Sequence, residues 1–161
     1  MDRPQQRRTP AFWLRAWLPV ALGVLVIAIE STEFFGADHT SGPLRWGWEH
    51  LFGAVTEDRW ALVHHLIRKT GHFTGYGLLA LTWLRAFWMT LPRLSFLQDA
   101  LLALLGTALT ASADEIHQSY LPNRTGQARD VVLDCCGAIC MQLAFFLLLK
   151  LNSQKWFDRP M

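Results

Sequence analysis

Four blocks of apolar residues, each close to the length needed to cross a bilayer, constrain this chain more than anything else in it. They run from Trp13 to Ile29, Gly71 to Met89, Leu97 to Ile116 and Val131 to Leu149. At 1.5 Å of rise per residue, about 20 residues traverse a hydrocarbon core of about 30 Å. Composition agrees: 52% of the 161 residues are hydrophobic and only 17% are charged, against about 25% charged in soluble domains. The expected fold class is therefore all-α, a polytopic membrane protein built as a bundle of four transmembrane helices.

The first block follows Arg3, Arg7 and Arg8 as a signal peptide would, but no Ala-x-Ala-like cleavage site follows it, so it reads as a retained anchor. Pro19 is positioned to kink it, and Arg15 can snorkel to the near interface. Residues 1–10 read as a disordered tail, 11–150 as the membrane domain and 151–161 as a polar tail. Between the first two blocks, "STEFFGADHTSGPLRWG" is turn-rich. Trp48, Leu51, Phe52 and Val55 then recur at i, i+3, i+4 and i+7, which predicts an amphipathic helix lying along the headgroups; a soluble loop folded on itself is the alternative. Cys135, Cys136 and Cys140 all fall within the fourth block and read as small packing residues.

Lys and Arg residues bias the orientation. Arg3, Arg7, Arg8 and Arg15 at the N-terminal end, Arg85 and Arg93 in the second connection, and Lys150, Lys155 and Arg159 at the C-terminal end would lie inside. Both termini are then cytoplasmic, in the inner membrane. The basic N-terminal tail is explained by this orientation, and no nucleic-acid module is present.

The charges that remain are concentrated where the apolar blocks end. Lys69, His72 and Tyr76 open the second block, and Asp114, Glu115, His117 and Gln118 close the third. Arg124 and Arg129 stand in the turn, with Asp130 and Asp134 at the start of the fourth block. An ionisable group inside a span costs about 2.5–3.5 kcal/mol at its centre, so such groups face inward and find partners. With four spans these ends share one face, extracytoplasmic in this orientation, and the acids are expected to satisfy the bases there.

"KTGHFTGYGLLAL" followed by "ADEIHQSYLPNRTGQARDVVLDCCGA" resembles the VanZ-like family, named for an accessory glycopeptide (teicoplanin) resistance protein. The family pattern falls on Lys69, His72, Tyr76, Asp114, Glu115, Gln118, Arg124, Asp130, Asp134 and Gly137, a motif core spanning 69–141. Met141 stands where the family often has a further glycine, and the Trp-rich segment before Lys69 is not part of the pattern. The resemblance implies a cell-envelope role connected with antibiotic resistance. Some relatives are catalogued as phosphotransbutyrylases, although nothing in this chain suggests a CoA site.

Four readings of the polar residues follow. They could be a structural clasp, although buried ion pairs seldom outperform apolar packing. They could bind an anionic envelope lipid, a lipid-linked cell-wall precursor or a glycopeptide, with Lys69, His72, Arg124 and Arg129 meeting the anion. They could belong to an enzyme acting on a lipid-linked substrate, with Asp114 or Glu115 as general base, His72 as proton shuttle and Arg124 stabilising developing charge. Transport is the fourth and would need a through-path. The expectation is a lipid-binding, non-catalytic protein with no cofactor and no metal site. A divalent ion held by the carboxylates and His117 is signalled only weakly, since no HExxH-type spacing is present.

Overall fold

The computed structural model describes residues 9–122 and 124–156, with side chains as far as residue 151. Asn123 and most of the expected terminal tails, residues 1–8 and 157–161, lie outside this description. Five helices carry the chain: α1 (Pro10–Glu30), α2 (Ala37–Phe52), α3 (Glu57–Thr90), α4 (Phe96–Ser119) and α5 (Ala128–Trp156), with a 3-10 turn at Glu33–Phe35. The all-α expectation is met.

Local chemistry sets the boundaries. Thr9 caps α1 by accepting the Phe12 N–H at 3.3 Å, with Pro10 at the first helical position. α4 opens with a reciprocal capping box between Ser95 and Gln98. Pro19 leaves the Arg15 carbonyl without its usual intrahelical donor, and Arg85 Nη1 from α3 fills the gap at 2.8 Å. A break in one helix becomes a tie to its neighbour.

α1, α4 and α5 as far as Leu151 are long and apolar enough to cross a membrane. α3 is long enough at 34 residues, but Arg68, Lys69, His72, Arg85 and its glycines keep it below the same standard of apolarity. The expectation of four spans is therefore met for three helices. α3 is polar because it is the central helix: it packs against α1, α4 and α5, most extensively against α5. The bundle turns a membrane-like face outward, with Leu97, Leu101, Leu105 and Leu109 repeating at i, i+4 along the exposed side of α4. Small and polar residues fill the interior, among them Ala16, Ala80, Ala103, Thr107 and Asp134.

Where α3 meets α5 the backbones touch. A Cβ on Gly137 would lie 2.1 Å from the Phe73 carbonyl oxygen, and one on Gly77 would lie 2.5 Å from Met141 Cγ. Met141 thus packs over Gly77, which accounts for a bulky residue where another glycine was expected.

From Ala37 onward the segment read as turn-rich is instead helical. α2 begins at Ala37, contains Pro43 and stops at Gly53, whose φ of 88° suits a residue without a Cβ. Val55, expected on the same helical face as Trp48, lies beyond that stop. α2 buries none of its own side chains and rests on the first turns of α3. Trp60 Nε1 donates to Ser41 Oγ at 2.7 Å, Thr40 Oγ1 lies 3.1 Å from His64 Nε2, and Arg45 donates to Glu49 at 3.1 Å and to Glu57 at 2.5 Å. The three cysteines are free, Cys136 and Cys140 exposed.

Candidate functional site

Contacts along the bundle bring the end of α1, the middle of α3, the end of α4 and the start of α5 to one level. Ser31 Oγ lies 2.8 Å from His117 Nδ1, joining α1 to α4. At the rim, Lys69 pairs with Asp130. One turn deeper, His72 Nδ1 stands 3.6 Å from Asp134 Oδ1, and Asp134 is fully buried. Below that, Tyr76 Oη donates to Asp114 Oδ2 at 2.8 Å, and Gln118 Nε2 donates to the same oxygen at 3.0 Å. The i, i+4 spacings of His72/Tyr76, Asp114/Gln118 and Asp130/Asp134 stack these groups.

Glu115 is held from the other side. The loop after α4 folds back so that the Gln127 N–H donates to Glu115 Oε2 at 2.7 Å. Only glycine permits this return at position 126, where a Cβ would lie 2.0 Å from the Glu115 carbonyl oxygen. Asp114 and Glu115 are thus fixed through one oxygen each. Asp114 Oδ1, Glu115 Oε1 and both Asp134 carboxylate oxygens are buried without a hydrogen-bond partner. Unmatched charge of this kind is costly in a low-dielectric interior.

The expected bases are only partly brought into the cluster. Arg124 is buried, and its Nη2 donates to the carbonyls of Glu30 at 2.7 Å and Thr32 at 2.8 Å, capping the end of α1. Burial, followed by the nearby charge of Arg68, pulls the Arg124 guanidinium below its ordinary value. Its Nε remains unpartnered. Arg129 is exposed and bonded only to Gln127 Oε1 at 3.1 Å among the described residues. His117, considered with the carboxylates as a metal ligand, is engaged with Ser31.

A groove of about 490 Å³ opens onto this cluster between α1 and α3. Its polar end is formed by Glu30, Arg68, His72, Asp114 and Arg124; its apolar wall runs along Val26 and Ile27 and past Gly71, Gly75 and Leu78. Nothing lies within 4 Å of where a Cβ would sit on Gly71 or Gly75, so these glycines hollow out the α3 side. Arg68 went unremarked as a site residue, yet it lines the groove without a hydrogen bond or ion pair among the described residues. The signal was available: Arg68 stands at i, i+4 to His72. Ser31 gave no such signal: it lines the groove and bonds a residue 86 positions away.

Among known proteins, no curated sequence and no solved structure matches this chain. A family model described as VanZ/LLP1 does, over residues 16–149, a range that takes in every residue of the buried cluster and all of the groove. A match over so much of its length means that the chain belongs to the VanZ/LLP1 family.

Proposed function

We propose that the groove between α1 and α3 binds an anionic envelope lipid or lipid-linked cell-wall precursor, with a phosphate between Arg68 and Arg124 and an acyl chain against the hollowed face of α3. The observation that carries this reading is the groove's polarity, with the Arg68 guanidinium and the unpartnered Nε of Arg124 at one end and an apolar trough at the other. From Gly71 to Thr82 the trough extends about 16 Å along the helix. A tail moving from bilayer to groove gains little, since both are apolar, so affinity and selectivity reside in charge-assisted bonds to the arginines. In the same reading α3 is a fourth span, α2 lies at the membrane surface, both termini are cytoplasmic and the polar end faces outward. Sequestering a wall precursor there would connect the protein to glycopeptide tolerance.

A membrane enzyme acting on a phosphate-containing lipid is the second reading. It is favoured by Asp114 and Glu115, which keep one free oxygen each near His72 at the edge of the groove. Lipids retained by the gently purified protein, identified by mass spectrometry, test the binding function. The expected result is a phosphate-bearing lipid enriched over the bulk membrane and lost from Arg68→Ala, while the variant unfolds at the wild-type temperature. Retained lipids matching the bulk membrane in both proteins would refute it.

A further inference from the structure

The arginine end of the groove suits an anion, but the cluster beneath it has the opposite character. Asp114, Glu115 and Asp134 lie buried together, and the imidazole of His72 is placed against Asp134. Lys69 is occupied by Asp130 and Arg124 by the α1 carbonyls. Three buried carboxyl groups thus face a single imidazole.

The way each acid is held narrows what is missing. Tyr76 and Gln118 both grip Asp114 through Oδ2, leaving Oδ1 buried and unpartnered. Gln127 N–H grips Glu115 through Oε2, leaving Oε1 in the same condition. Fixing one oxygen and presenting the other is how outer hydrogen bonds orient metal-ligating carboxylates. One ligand atom each from His72, Asp114 and Glu115 lie within 4.8 Å of one another. Atoms bound to a common ion at about 2.1 Å are separated by at most about 4.2 Å, so closure requires only a small rotation of these side chains. Asp134 is the independent pointer to a cation: wholly buried, with neither oxygen hydrogen-bonded, it faces the same imidazole.

We propose that His72, Asp114 and Glu115, backed by Asp134, bind one divalent metal ion at the floor of the groove. Carboxylate oxygens with a single imidazole form a mixed donor set suited to Mn²⁺ or Zn²⁺. No cysteine sulfur joins these ligand atoms among the described residues. The groove, which His72 and Asp114 both line, supplies the entry path. The site stands whether or not a lipid occupies the arginine end, because its charge balance concerns only the buried acids.

The test uses full-length protein in detergent, stripped with chelator and titrated with Mn²⁺ or Zn²⁺ alone. One equivalent per chain is expected, with a rise in the wild-type unfolding temperature. Glu115→Gln and His72→Asn should each weaken binding about tenfold or more, and Glu49→Gln, on remote α2, should leave it unchanged. Should the site variants fail to fold, pulsed paramagnetic resonance of the Mn²⁺-loaded wild type decides, with one imidazole nitrogen coupled to the ion expected. No stoichiometric binding, equal binding in the site variants, or bound Mn²⁺ without a nitrogen ligand would overturn the proposal.

Discussion

Replacing Gly137 by alanine adds one methyl group where the α5 backbone lies directly against that of α3. The new Cβ would lie 2.1 Å from the Phe73 carbonyl oxygen, 2.9 Å from its carbon and 3.1 Å from the Phe73 Cα. All three are backbone atoms of a helix and cannot rotate away. The helices must separate by about 1 Å to restore contact distances, and overpacking of that kind costs about 1–3 kcal/mol. The damage extends to the site, because the same interface carries His72 opposite Asp134 one turn away. Their separation of 3.6 Å would exceed 4 Å after a shift of about 1 Å, ending the ion pair. Denaturation of purified protein in micelles measures the stability loss, and the lipid and metal assays measure the second effect. The comparison is Gly47→Ala on α2, where nothing lies within 4 Å of the new methyl and helix propensity favours alanine by up to about 1 kcal/mol. Wild-type stability and intact binding in Gly137→Ala would refute the claim that close α3–α5 packing sets the site.

Two further outcomes are expected. Arg124→Ala should destabilise the bundle by about 1.5–3 kcal/mol, because charged hydrogen bonds to the Glu30 and Thr32 carbonyls are lost; faster hydrogen exchange in the last turn of α1 would report it, and unchanged exchange would count against the cap. The α2–α3 contact should loosen on acidification, since burial and then the Arg68 and His65 charges hold His64 below its ordinary value. A depressed folded-state value favours neutral imidazole, so this stabilisation is complete above the ordinary imidazole range and lost as pH falls through the lower folded value. Exchange at α2 amides, corrected for intrinsic rates, should rise over that range in wild type but not in His64→Gln.

How the ends of the helices meet was legible from residue pattern, and so was much of the cluster. His72, Tyr76, Asp114, Gln118, Asp130 and Asp134 stand at helical spacing on segments that a membrane forces into register. What a backbone carbonyl would take could not be read. Pattern offers Arg124 as an anion-binding base, but folding points its Nη2 at the end of α1, a partner 94 positions away for Glu30. Arg68, adjacent to the family pattern, is the guanidinium left facing the groove. The first part of the helix at Ala37–Phe52 was missed because Pro43 and the glycines beside it read locally as turns, while contacts with α3 through Ser41, Thr40 and Arg45 hold it in place.

Apolar length and charge spacing alone determined that this is an all-α membrane protein with a cluster of acids at one end, because a bilayer penalises ionisable groups scattered into lipid. Tertiary structure decided which oxygen of Asp114 and of Glu115 is tied and which is free, and which nitrogen of Arg124 is spent on backbone. It also decided that glycines at 71 and 75 open a groove whereas those at 77 and 137 close an interface. Those outcomes depend on distances between helices that no local pattern encodes.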